Sequence, residues 1–223
     1  MPEDPTPSAA TPFDHPIFTE SLRTIRVALT TLPGGDPLLR LSPLQQEVAL
    51  RLIHSSGDLQ LVRQLRFSAG ACSAGLAALA AQAPLLTDTA MAAAGVAPMA
   101  RRTFGNTVHS VLEWAPDTTP PVGTRTAIGM RFALEALPGA VVLIGSAPTA
   151  LEQLLQLVAE GRCIAPALVV GMPVGFVGVA ESKRHLAETP QLPQIRLDGS
   201  RGGAALTAAV ANALLRRAWL DRF

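Results

Sequence analysis

The sequence predicts an α/β fold: a mainly parallel sheet covered by helices on both faces and preceded by a helical segment. Three observations predict it. The runs Ala140 to Ile144 and Ala167 to Val170 are continuously apolar rather than alternating, as strands buried on both faces require. Segments with helical spacing separate these runs, the pattern of strand–helix–strand units. Glycine-rich turns, Gly171-Met-Pro-Val-Gly-Phe-Val-Gly-Val-Ala-Glu-Ser-Lys183 and Gly199-Ser-Arg-Gly-Gly-Ala-Ala-Leu206, lead from apolar runs into helix-like segments. They set bare backbone amides at the carboxyl ends of strands, where such sheets bind ligands.

From Pro16 to Thr31, Ile17, Leu22, Ile25 and Leu29 recur at helical spacing, and Leu32-Pro-Gly-Gly35 stops the run. Ser42, Pro43 and Gln45 form the start signal of a second helix, a capping box with proline in the first turn. It continues through Val48 and Leu52 to His54, where Ser55-Ser-Gly-Asp58 ends it. A third helix is expected from Asp58 to about Leu65 and a fourth from about Ala69 to Ala81. Pro84 to Thr87 reads as a short strand ending in Asp88, and Thr107 to Glu113 alternates as another. Gly123 to Leu137 is helical, Ala140 to Ile144 a buried strand, Leu151 to Ala159 helical, and Ala167 to Val170 a second buried strand. A helix around Ala180 to Ala187, a strand from Pro193 to Leu197 and a closing helix from Ala204 to Arg216 complete the chain. There is no internal repeat.

At 223 residues and 48% hydrophobic content the chain fits one well-filled domain, expected over 13–223. Residues 1–12, rich in proline and without a basic start or apolar stretch, are expected to be a disordered tail rather than a signal peptide. A net charge of +1 argues against nucleic acid as partner. No run of about 18 apolar residues suggests a membrane helix. Cys72 and Cys163 form neither a metal-type pair nor a disulfide framework, and read as reduced, buried thiols of a cytoplasmic protein. Glycines without a following Gly-Lys-Ser/Thr are not a P-loop, and no dinucleotide fingerprint opens the first strand–helix unit. No histidine, cysteine and carboxylate cluster has metal-ligand spacing.

Of the four histidines, His15 and His185 read as solvated and His109 as a packing or hydrogen-bonding residue. His54 ends a helix, one turn after Arg51 on the same face. There the helix dipole favours the imidazolium, which suits a general acid near neutral pH. The alternative is a histidine that satisfies terminal carbonyls. Arg23 and Arg26 share an exposed helix face, and Arg101 and Arg102 an exposed loop. Arg125 opens a helix, where its charge opposes the dipole, a weak sign of an anionic partner. Asp88, Ser146 and Gly171 to Gly175 fall at strand carboxyl ends. Gly202 and Gly203 serve either an anion cradle or close helix packing.

These residues carry a family likeness. The thirteen-residue segment Gly171 to Lys183 resembles the signature of the precorrin-8X methylmutase family, known also in a cobalt-precorrin-8 form. So, in the same order, do Ile17 to Arg26, Arg51 to Gly57, Arg66 to Ser68, Ala83 to Asp88, Gly145 to Leu151, Ser200 to Leu206 and Asn212 to Leu214. The resemblance spans Pro16 to Leu215. It implies a three-layer flavodoxin-like α/β/α fold, a homodimer or higher oligomer, and a cytoplasmic isomerase of cobalamin biosynthesis. The implied reaction moves a methyl group from C-11 to C-12 of a contracted tetrapyrrole by a 1,5-sigmatropic shift, giving hydrogenobyrinate or its cobalt counterpart, without a cofactor. The resemblance puts the catalytic, proton-supplying histidine on His54 and substrate contacts on Ser21, Arg51 and Arg125. Asp88, Ser146, Gly175, Arg201 and Gly202 complete the expected substrate-binding set, as backbone amides and arginines suited to acetate and propionate groups. Glu20, Ala90 and Gly123 depart from the family pattern and bear on peripheral contacts. A non-catalytic tetrapyrrole carrier is the alternative function, and a nucleotide or flavin binder a weaker one suggested by fold alone.

Overall fold

A computed structural model of the protein describes residues 13–222, so the tail expected over 1–12 lies outside the described residues. Six strands form one sheet: β1 (Leu65–Phe67), β2 (Leu85–Thr87), β3 (Val108–Ser110), β4 (Val141–Ile144), β5 (Leu168–Gly171) and β6 (Gln194–Leu197), in the order β1-β6-β5-β4-β2-β3. The last five in chain order are mutually parallel, and β1 joins β6 antiparallel at one edge. Numbered among themselves, the parallel strands run 2-1-3-4-5, the flavodoxin-like doubly wound order. Their sequence runs are apolar throughout because both faces are covered. Val141 and Leu143 enter one core while Val142 and Ile144 enter the other.

On the first face lie α2 (Pro43–Ser56), α3 (Ala71–Ala80), α4 (Ala90–Arg102) and α8 (Ala204–Arg222), with α1 (Pro16–Thr30) packed outside α2. The second face carries α5 (Arg125–Ala136), α6 (Pro148–Ala159) and α7 (Val179–Ala187). The capping box on Ser42 and Gln45 forms as expected, and Gly57, in the left-handed conformation at φ 68°, closes α2 just after His54.

Four local expectations change. Residues 90–102 are a helix, not a loop, so Arg101 and Arg102 end α4. Gly95 and Pro98 weaken the helix signal of this alanine-rich segment, but its small residues let it lie against α8, where a Cβ on Gly95 would sit 3.0 Å from Ala208. The third helix is a single 3-10 stretch, Leu59–Arg63, followed by the unforeseen edge strand β1. The strand expected to Glu113 stops at Ser110, where a capping box with Glu113 starts a 3-10 turn. Cys72 is buried, which pushes its thiol up to about 12, whereas Cys163 is half-buried.

Candidate active site

His54 sits at the C-terminal end of α2 and faces α1. Its Nδ1 lies 2.8 Å from Ser21 Oγ, and the Phe18 ring stands edge-on to the imidazole at 5.0 Å. With Nδ1 engaged, Nε2 is the atom left for a ligand. Arg51, one turn earlier, lies with its guanidinium 4.8 Å from the Phe18 ring centre, and its Nε is buried without a partner among the described residues. Nearby Arg216 is bridged to Asp14 and Glu47, whereas Arg51 forms no ion pair among the described residues. Burial first and the neighbouring Arg216 charge second push the Arg51 guanidinium down, with Asp14 partly opposing them. An anion would complete this arginine.

The environment of His54 reverses one sequence expectation. Helix-end position favours the imidazolium locally, but burial and then the Arg51 charge hold the imidazole below its ordinary range. Without a ligand the neutral form is favoured. A shallow cavity of about 510 Å³ along α1, lined by Pro16, Ile17, Glu20, Ser21, Thr24 and Ile25, adjoins Ser21.

A second group lies where the sheet changes direction, between β2 and β4. Asp88 follows β2 and is fully buried. Its Oδ2 accepts the amides of Gly145 (3.0 Å), Ser146 (2.6 Å) and Ala147 (2.7 Å). α6 has no side-chain cap of its own, so Asp88 supplies one from another strand. Burial outweighs the three amides and raises this carboxyl above the usual carboxylate range. Asp88 thus sits beneath the loop that exposes Ser146.

The glycine motifs form the third group. Gly175 N–H donates to the Ser200 carbonyl at 3.0 Å, and Gly203 N–H to Met172 at 2.9 Å. At Gly202 a Cβ would fall 1.9 Å from the Met172 carbonyl, so no other residue fits this crossing. Arg201 pairs with Asp58 at 3.0 Å, which ties the turn to the segment four residues beyond His54. The amides of Ser200, Arg201 and Gly202 meet no acceptor among the described residues.

The structure therefore gathers Ser21, Arg51 and His54; Asp88 and Ser146; and Gly175, Arg201 and Gly202. Arg125 stands apart at the start of α5, on the opposite face of the sheet from α2, its Nε donating to the Pro116 carbonyl at 2.7 Å. A hydroxyl contact of 2.8 Å between Thr124 and Thr149 places it beside the start of α6. Sequence reasoning missed Phe18, Asp58 and Lys183. An acid directly after the helix-ending glycine was the one available signal for Asp58. His109 bonds Glu113 at 2.8 Å, the hydrogen-bonding role expected of it.

The fold is that of a doubly wound α/β protein, and it carries a histidine–serine pair beside a partly buried arginine, with a turn after β6 whose amides have no acceptor among the described residues: a set of polar groups suited to an anionic small molecule. The precorrin-8X methylmutase family model (CbiC) matches residues 16–217, and the chain belongs to that family. It is 45% identical over 202 residues to the precorrin-8X methylmutase of Pseudomonas aeruginosa, covering 89% of this chain and 93% of that protein. It is 35% identical to the cobalt-precorrin-8 methylmutase of Synechocystis, over 94% and 99% of the two chains. The crystal structure of precorrin-8x methyl mutase from Thermus thermophilus superposes with a TM-score of 0.79 at 38% identity, covering 92% of this chain and 96% of that one.

Proposed function

We propose that this chain, a methylmutase of cobalamin biosynthesis, moves the methyl group of precorrin-8X or its cobalt form from C-11 to C-12, with His54 as the group that exchanges a proton with the macrocycle. The observation that carries the assignment of His54 is its pairing with Ser21 beside Arg51. Ser21 fixes the ring through Nδ1, leaving Nε2 to meet the substrate. A sigmatropic shift is intramolecular, so the protein must hold the ring rigidly and bias its protonation. A substrate carboxylate seated on Arg51 would neutralise the Arg51 charge, which after burial is the second cause holding the imidazole low. Binding would thereby raise the proton affinity of His54 when the proton is needed.

Arg201, Ser146 and the amides of Gly175 and Gly202 are assigned to the acid side chains around the macrocycle, and Asp88 serves by holding the Ser146 loop. Arg125, on the other face, suits a site shared between copies, and we propose a homodimer in the cytoplasm. No helix among the described residues is long and apolar enough to cross a membrane.

Incubation with precorrin-8X and with cobalt-precorrin-8, followed by absorbance, tests the activity and its metal preference. His54→Ala is expected to lose at least about a hundredfold in kcat, the scale of one proton-transferring group, while still binding the tetrapyrrole. Unchanged turnover in that variant would remove His54 from the chemistry, and tetrapyrrole binding by the wild-type protein without turnover would favour a carrier role.

A further inference from the structure

Lys183 closes the glycine signature yet has no part in the chemistry above. It is 2% exposed on α7, an uncommon place for a lysine. Its Nζ donates to the Gly199 carbonyl at 2.7 Å and the Arg201 carbonyl at 2.6 Å. The carbonyl between them, on Ser200, accepts from Gly175. Three consecutive carbonyls of the turn after β6 are thus turned inward, two onto one ammonium and one onto the glycine motif. The amides of Ser200, Arg201 and Gly202 are left without acceptors among the described residues, and the Arg201 side chain reaches Asp58.

An ammonium between two carbonyls acts as a built-in cation. Oxygen dipoles of one turn would repel each other in this arrangement, and a buried positive charge holds them together. A neutral side chain of equal length would fill the space but leave two carbonyls unpaired, and the turn would rotate to solvate them.

We propose that Lys183 is a positioning residue for substrate binding: by clasping the Gly199 and Arg201 carbonyls it presents the amides of Ser200 to Gly202, and the Arg201 guanidinium, to a substrate carboxylate. This rests on the methylmutase function above. Lys183 does not touch the reacting atoms, so its loss acts on affinity and not on the rearrangement.

The test compares Lys183→Met and Lys183→Arg with the wild-type enzyme, using precorrin-8X turnover and titration of the tetrapyrrole product by absorbance. Turnover by the wild-type protein checks the function itself, and the ratio of variant to wild type checks the role of Lys183. Lys183→Met is expected to raise KM and the product Kd at least tenfold while kcat stays within threefold. Lys183→Arg, which keeps a cation against the carbonyls, is expected to recover most of that affinity. Unchanged KM and Kd in a folded Lys183→Met variant would overturn the proposal, as would a collapse of kcat at constant KM. If Lys183→Met does not fold, Lys183→Gln, with one amide donor group for the two carbonyls, is read by the same split. Failure of all three replacements to fold would also overturn it, making the lysine part of the core alone.

Discussion

Replacing Asp88 by alanine should cost about 3 kcal/mol of folding stability. The Asp88 carboxylate accepts three backbone amides, of Gly145, Ser146 and Ala147, and caps a helix that has no side-chain cap. The Gly145 amide is buried, and leaving such a donor unpaired costs about 1–3 kcal/mol. The bonds from Ser146 and Ala147 are half-buried, so water recovers part of each and roughly 0.5 kcal/mol apiece remains. Urea denaturation with an unchanged m-value measures the sum. The proton gives an independent check. Burial raises the folded-state pKa of Asp88, so the folded chain binds this proton more tightly than the unfolded chain. That contribution is fully present below the ordinary carboxylate range and is lost as pH rises through the raised folded value. The gap between wild type and Asp88→Ala should therefore be larger at mildly acid pH than at pH 8. A total below about 1 kcal/mol, or a gap that widens with pH, would refute the reasoning.

Two further outcomes follow from the same geometry. Arg51→Gln removes the positive charge that helps hold His54 low, so an NMR titration should find the imidazole pKa shifted upward and the falling limb of the kcat profile moved to higher pH with it. KM should rise about tenfold or more, the scale of one charge-assisted hydrogen bond. Gly202→Ala places a methyl group 1.9 Å from the Met172 carbonyl, where backbone rather than a flexible side chain must yield. A loss of about 3 kcal/mol in chemical denaturation is expected, and a change within about 0.5 kcal/mol would show that the two glycine turns do not cross as described.

What the sequence disclosed follows the range of the forces involved. The start of α2 was legible because Ser42, Pro43 and Gln45 act within one turn, and β4 and β5 because burial on both faces leaves unbroken apolar runs. α4 was not, since Gly95 and Pro98 interrupt its alanine-rich run and the packing against α8 that offsets them is tertiary. β1 has three residues and pairs with a strand 130 positions later, beyond any local signal. The site divides the same way. His54 and Arg51 share a helix face, so their proximity was readable, but the contact with Ser21 depends on how α1 packs. The protonation tendency of His54 was misjudged because dipole direction is local, while burial and the orientation of Arg51 are tertiary. Lys183 lay in plain view within the signature, and its role depends on a turn that arrives from β6.

The position of Asp88 also bears on what this fold can bind. In a doubly wound sheet the crevice at the strand carboxyl ends, where strand order reverses, is the usual ligand site. Here that point lies between β2 and β4, and its three amides already hold the Asp88 carboxylate. A phosphate could enter only by expelling a buried acid. Other donors lie outside that point: Arg51 and His54 beside α1, Arg201 on the turn after β6, and Arg125 at the start of α5, next to the start of α6. A nucleotide, with its charge in one phosphate cluster, would engage one of these groups and leave the others unused. A macrocycle carrying acids around its periphery, the substrate proposed above, would engage several of them, and a switch point already filled by Asp88 supports that proposal over a nucleotide.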